Sequence, residues 1–301
     1  MTADHRKRLM PTYSLPIDRP TVPWPEKRDL FGVSVSVCEL EEATRAVMTA
    51  ARARRPSIVS CFSVHALVTA SDDPALNAKA NSFDMITADG QPVRWALNLL
   101  QKSGLQKRVC GRDLVDSVCT AAAEEGISVY LYGGRPDVVS RLESALSQSF
   151  PGLTIAGAES PPFRELTADE DRAVIERINA SGAGIVLIGL GCPKQDHFAY
   201  AHRPQIHAVQ ICVGAVFDFF AGSQPIAPQW MQDAGLEWLF RLGSEPRRLF
   251  ARYAVTNTAY LLKLVGGLAW PRPAAREAST ELQTHSSPGV LSSPAAWQNS
   301  R

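Results

Sequence analysis

No run of the sequence reaches the about 20 apolar residues that cross a bilayer. The nearest, residues 254–270 (AVTNTAYLLKLVGGLAW), is interrupted by Lys263 and two glycines. It is too short and too mixed to span, but its composition suits a helix lying on a membrane surface. A secretory signal is also missing, because the basic cluster in MTADHRKRLMPTYSLP is not followed by an apolar stretch. The six cysteines, Cys38, Cys61, Cys110, Cys119, Cys192 and Cys212, form no CxxC pair and have no histidine cluster beside them. That argues against zinc and for buried, reduced thiols of a cytosolic protein. Neither GxGxxG nor GxxxxGK[ST] occurs, so a dinucleotide fingerprint and a kinase-type phosphate loop both lack support. The net charge is only +1. Nothing global points to nucleic acid, and any electrostatic specialisation must be local. No DxD-like pair stands at a predicted strand end, so no required metal and no cofactor are expected. Asp72-Asp73, beside Pro74, reads as a solvated turn.

What is present is an alternation of short apolar runs and amphipathic stretches. Residues 1–28 carry five prolines and read as a flexible leader. Residues 273–301, rich in Ser, Pro and Ala, read as a disordered tail. Between them, strands are predicted at Ser57–Phe62, Met85–Thr87, Val129–Tyr132, Leu153–Ala156, Ile185–Ile188 and Val209–Val213. Helices are predicted over Pro92–Leu100, Leu114–Glu125, Pro136–Phe150 and Ala168–Ala180. This alternation predicts an α/β fold, a Rossmann-like parallel sheet with helices on both faces. The runs are continuously apolar rather than alternating, as strands buried on both sides are. The expected division is a core over residues 29–242 and a C-terminal helical appendage over residues 243–272.

Ligands of such sheets bind at the carboxyl ends of the strands. Three predicted strands end in glycine there: Gly133-Gly134, Gly189-Leu190-Gly191 and Gly214. They allow either mere tight turns or close approach of an anion to the next helix start. Asp89-Gly90 follows a predicted strand, so Asp89 suits a general base or a helix cap. Lys194 and Gln195, after Pro193, fall in a first helical turn, where they reach a diphosphate or a sugar hydroxyl, or simply meet solvent. Asp218, between Phe217 and Phe219, can accept hydrogen bonds from a base or ribose, or cap an element. Arg247, Arg248 and Arg252 lie on one helical stretch beside Leu249, Phe250 and Tyr253. Residues 248 and 252 share a face and 247 borders it. Guanidinium groups suit diphosphate or anionic lipid, although a solvated helix packed on the core has the same pattern.

Taken together, these segments resemble the WecG/TagA/CpsF family, glycosyltransferase family 26. The resemblance spans roughly residues 30–262 and rests on TADGQPVRWALNLL (87–100), RVCGRDLV (108–115), VYLYGGRPDVV (129–139), IGLGCPKQDHF (188–198), VGAVFDFFAG (213–222), and AP-x-W, GLEWLFRL and EPRRLFARY within 227–253. It implies inverting transfer of N-acetylmannosamine, glucose or a related sugar. The donor is a UDP-sugar and the acceptor an undecaprenyl-diphosphate-linked glycan, in teichoic acid, common antigen or exopolysaccharide synthesis. It implies Asp89 as base, Lys194 and Gln195 in the PKQE block (here ending in Asp196), and appendage arginines Arg247, Arg248 and Arg252 closing over the site. Where many members have Thr-x-Asn after the first long strand, this chain has Cys61-Phe62-Ser63-Val64-His65. Ser63 replaces the asparagine and His65 follows, which changes which sugar groups can be bonded. The implied location is cytoplasmic, peripherally attached to the inner membrane face through anionic lipid, with no nucleic acid partner and a homo-oligomer possible. Two other classes fit α/β chains. An oxidoreductase would need the missing dinucleotide fingerprint, and a non-catalytic nucleotide-sugar binding protein would be expected to lack Asp89 or the arginines.

Overall fold

The computed structural model describes residues 22–269. A hairpin comes first, β1 (Lys27–Leu30) and β2 (Val33–Ser36), followed by α1 (Leu40–Arg52), β3 (Ser57–Phe62), α2 (Val64–Asp72), α3 (Pro74–Asn81) and β4 (Met85–Ala88). Next come α4 (Gln91–Gln101), α5 (Gly111–Glu125), β5 (Val129–Gly133), α6 (Pro136–Ser149), β6 (Ile155–Glu159) and α7 (Ala168–Ala180). Then follow β7 (Ile185–Gly189), α8 (Lys194–His202), β8 (Val209–Cys212), α9 (Val216–Phe220), α10 (Gln229–Asp233), α11 (Glu237–Ser244) and α12 (Pro246–Ala269).

Strands β4-β3-β8-β7-β5-β6, in that order, form one six-stranded sheet with every pair parallel. This is the expected Rossmann-like architecture. Side chains alternate between two separate cores. Ile58, Phe62, Tyr130, Tyr132, Val186 and Ile188 join one; Val59, Cys61, Val129, Leu131, Ile185 and Leu187 join the other. Both faces are buried, which is why these strands read as unbroken apolar runs. From β3 the chain leads to β4 on one edge, and from β5 to β6 on the other. The carboxyl ends of β3, β8 and β7 lie between these opposed exits, where ligands of such sheets bind.

Three differences from the sequence reading have physical causes. The ordered fold starts earlier than residue 29: β1 begins at Lys27, and Val22 is buried in a core. The rest of the expected leader, the tail at 273–301, and Trp270 and Arg272 lie outside the described residues. The hairpin covers the β4 edge through Ser36 Oγ, which accepts from Ile86 N–H at 3.2 Å, and Asn81 Oδ1, which accepts from Ser34 N–H at 2.7 Å. Strand β6 starts two residues later than predicted, because Leu153 N–H turns back to Phe150 C=O at 3.0 Å and delays the extended run. Asp73 is the N-cap of α3 rather than part of a free turn, accepting from Ala75 and Leu76 N–H.

The tightest backbone approach lies between β5 and β7. A Cβ on Gly133 would stand 2.6 Å from the Gly189 carbonyl carbon, and its φ of +125° disfavours any side chain. We expect Gly133→Ala to lower stability by about 2 kcal/mol or more, read as a fall in urea midpoint. An unchanged midpoint would show that the crossing is not tight.

Candidate functional site

Asp89 follows β4 at the carboxyl edge of the sheet. Its N–H donates to Phe62 C=O, the end of β3, at 3.1 Å, and Gly90 rather than Asp89 is the N-cap of α4. The side chain is therefore not committed to capping α4. It is partly buried and accepts a backbone hydrogen bond from Gly111. Burial raises its pKa to about 6; the Arg108 charge opposes this and the Glu237 charge adds to it.

Around it stand residues from distant parts of the chain. Arg108 Nη1 donates to Glu237 at 2.8 Å and approaches Asp89 C=O at 3.4 Å, while Nη2 donates to Gln232 Oε1 at 3.0 Å. Ser63 is the N-cap of α2, but its hydroxyl makes no capping bond. His65, in the first turn of α2, keeps its imidazole neutral to lower pH than usual, first through burial and then through the Arg252 charge. Arg252 of α12 therefore reaches the same strand end as Ser63 and His65.

A second group gathers at the ends of β5 and β8. Burial raises the Asp218 carboxyl, while Arg135, Arg248 and Arg241 pull it down and Glu245 pushes it up. Arg248 pairs with Glu245, which also accepts from Gln224 Nε2 at 2.9 Å. The Arg241 charge lowers both Asp89 and Asp218, and its guanidinium lies over the Phe219 ring at 5.4 Å. Gly134 N–H donates to Gly189 C=O at 3.1 Å, and Gly189 packs so closely on Phe217 that a Cβ would stand 2.5 Å from its ring.

The α8 start is wired differently from expectation. Lys194 is exposed there, but Gln195 is buried and its Oε1 accepts from Gly191 N–H at 3.2 Å. A Cβ on Gly214 would touch the same amide. Gln195 thus braces the Gly191 and Gly214 loops against each other. Asp196, fully buried, accepts from Ser60 Oγ at 2.7 Å.

The structure brings Ser63, His65, Asp89, Arg252, Asp218 and Arg248 to one edge of the sheet. Arg247 is exposed on the outward side of α12 and joins neither group. Sequence reasoning did not single out Arg108, Arg135, Glu237 or Arg241, although all four stand in the quoted blocks RVCGRDLV, VYLYGGRPDVV and GLEWLFRL. A groove of about 810 Å³ between α1 and α5, lined in part by Arg112, Asp116 and Phe220, contains none of the predicted site residues.

Helix α12 docks through Leu249, Thr256 and Tyr260, with Tyr260 Oη donating to Pro92 C=O at 2.6 Å. Lys263 pairs with Asp72 at 2.7 Å. On the other side Phe250, Val255, Leu261, Leu262, Val265 and Leu268 are exposed. Among the described residues no helix is long and apolar enough to cross a membrane, and no group of three or more His, Cys, Asp and Glu is placed to hold a metal ion.

A carboxyl whose folded pKa is raised binds protons more tightly when folded, so its ionisation opposes folding as pH rises. For Asp89 the effect is absent below its unfolded value and fully present above about 6. Asp89→Asn should therefore raise the melting temperature at pH 8 but leave it unchanged at pH 3. An equal shift at both pH values would refute this. The sequence model for the glycosyl transferase WecG/TagA/CpsF family matches residues 28–273, most of the chain.

Proposed function

Because the chain belongs to the WecG/TagA/CpsF family, glycosyltransferases of cell-surface polysaccharide synthesis that use a nucleotide-sugar donor and a lipid-linked acceptor, we propose the following specific reaction. The chain transfers a hexose or N-acetylhexosamine, N-acetylmannosamine-like or glucose-like, from a UDP-sugar to a polyprenyl-diphosphate-linked acceptor, with inversion. The product is a cell-surface polysaccharide or exopolysaccharide. The observation that carries it is Asp89, a partly buried carboxyl at a strand end with a pKa of about 6 and no capping duty toward α4.

At neutral pH this carboxylate is ionised yet basic enough to take a proton in the transition state. The acceptor O–H gives its proton to Asp89 as its oxygen bonds to the anomeric carbon. The bond from that carbon to the β-phosphate oxygen breaks, and UDP leaves with the electron pair. Arg252 and Arg248, with Lys194 at the α8 start, offset the charge of the diphosphate. The Gly133, Gly134, Gly189, Gly191 and Gly214 turns let the nucleotide approach the backbone. Gln195 shapes that wall from behind, and Asp218 accepts from the ribose or base. Ser63 and His65 face the donor sugar, and their hydroxyl and neutral ring replace the amide seen in many relatives.

A screen of UDP-sugars for transfer, paired with calorimetric binding of UDP against NAD, tests this reading. UDP binding and turnover with at least one UDP-sugar are expected; NAD binding without UDP binding would overturn it. In the same assay Asp89→Asn should keep the fold and lose about 10²–10⁴-fold in turnover. Near-normal turnover would remove Asp89 from the base role.

The outward face of α12, together with Arg247, is proposed to rest on the anionic inner leaflet, with residues 243–272 as the attaching appendage. Apolar side chains beside cations suit that surface. Leu262→Glu combined with Val265→Glu should cut binding to phosphatidylglycerol vesicles at least tenfold, while turnover with a detergent-free soluble acceptor stays the same. Unchanged vesicle binding would exclude this face.

A further inference from the structure

Arg108 sits where the loop carrying Asp89 meets the C-terminal segment. Its side chain is only 12% exposed, and a guanidinium so shielded is costly without a compensating carboxylate. Among the described residues the one carboxylate in salt-bridge contact with it is Glu237, at 2.8 Å. The same nitrogen approaches Asp89 C=O at 3.4 Å. The other terminal nitrogen donates to Gln232 Oε1 at 3.0 Å, and Gln232 Nε2 is itself fixed on Ala227 C=O at 2.8 Å. One arginine thus joins the Asp89 loop to α10 and α11, more than a hundred residues away in sequence.

We propose that Glu237 is a positioning residue of the transferase: through Arg108 it ties α11 to the Asp89 loop and supplies the counter-charge that stops Arg108 from quenching the Asp89 carboxylate. This rests on the reading of Asp89 as the base. It adds a residue that touches no substrate and a reason for the C-terminal segment to be seated during turnover.

The groups that face Asp89 come from β3, α5, the loop before α5, and α11. Arg108 precedes α5 and Arg241 lies on α11, and both favour the ionised carboxylate. Glu237, also on α11, favours the protonated form. The Gly111 N–H of α5 donates to the carboxylate. The Cys61 thiol on β3 and the Cys110 thiol before α5 are both held protonated, by burial first and then by the Asp89 charge. Removing the Glu237 charge leaves Arg108 unopposed, so Asp89 must hold its proton less tightly. Removing Arg108 acts in the opposite direction. An ion pair too far from Asp89 to act on it would move neither titration.

Two readouts on the intact protein test this. The first is the acidic limb of kcat/KM against pH, with the UDP-sugar that supports transfer. The second is the titration of the Asp89 carboxyl carbon by NMR, assigned by its absence in Asp89→Asn, which needs no turnover. Glu237→Gln should move both to lower pH, on the order of half a unit. Arg108→Gln should move both to higher pH, and Glu237→Asp should return them toward the parent value. An Asp89 titration unmoved in Glu237→Gln would overturn the proposal, even if the rate fell. A displaced NMR titration in a protein that turns over no UDP-sugar would uphold the coupling and instead overturn the proposed reaction.

Discussion

Where β5 and β7 leave the sheet, their backbones touch, and this contact governs the geometry of everything beyond it. Gly133 lies against Gly189, and Gly189 lies against the Phe217 ring. Three successive surfaces therefore pack with no room for a side chain between them. The contact fixes Gly134 on Gly189 C=O and presses α9, with Asp218, onto the strand ends. A second brace runs from Gln195 to Gly191 N–H, with Gly214 against the same amide. Close-packed interiors do not deform continuously, so the loops that line this edge inherit the rigidity of the sheet.

The same burial that fixes the geometry makes charge expensive. Asp196 is fully buried and Asp89 partly so, and desolvation raises each to about 6. Their surroundings differ. Asp196 has the Ser60 hydroxyl on one oxygen, the Cys192 thiol beside it, and no well-formed hydrogen bond on the other oxygen. It holds the start of α8 to β3. Asp89 faces mobile-length side chains of both signs, Arg108, Glu237 and Arg241, and so has an environment that distant residues can adjust. One carboxyl anchors the frame; the other stands at a strand end among charges of both signs.

Much of this was legible in the sequence. Buried parallel strands announce themselves as apolar runs, and Ser57–Phe62 was read to the residue. Glycines at strand ends mark the carboxyl edge of the sheet, where ligands of such sheets bind. The hairpin escaped notice because its turn is Phe31-Gly32, both at positive φ, where Asn-Gly would be the usual signal. Strand β6 was misplaced because IAGAE, at the sheet edge and half-exposed throughout, lacks the apolar density of its neighbours. Arg108, Arg241 and Glu237 stand in blocks that mark the family, but nothing in their spacing singles them out. Their importance comes from proximity across more than a hundred residues, which periodicity does not encode. Gln195 shows the converse: its place in a helix start was read correctly, but an amide there can face a ligand or its own loop, and only packing decides.

Helix α12 shows why a weak pattern can still be informative. Its buried stripe, Leu249, Thr256 and Tyr260, is partly polar, while its exposed side carries Phe250, Leu261, Leu262 and Val265. Apolar side chains on both sides blur the amphipathic signal that normally marks a surface helix. Packing against the core accounts for only one of those sides. The docking is directional, because Tyr260 Oη is fixed on Pro92 C=O and Lys263 on Asp72. Rotation of the helix about its axis would break both contacts. The outward stripe therefore has a set orientation relative to Arg248 and Arg252, whose charges reach Asp218 and His65 from the same rigid element. Whatever surface meets the stripe is held in a fixed relation to the strand ends.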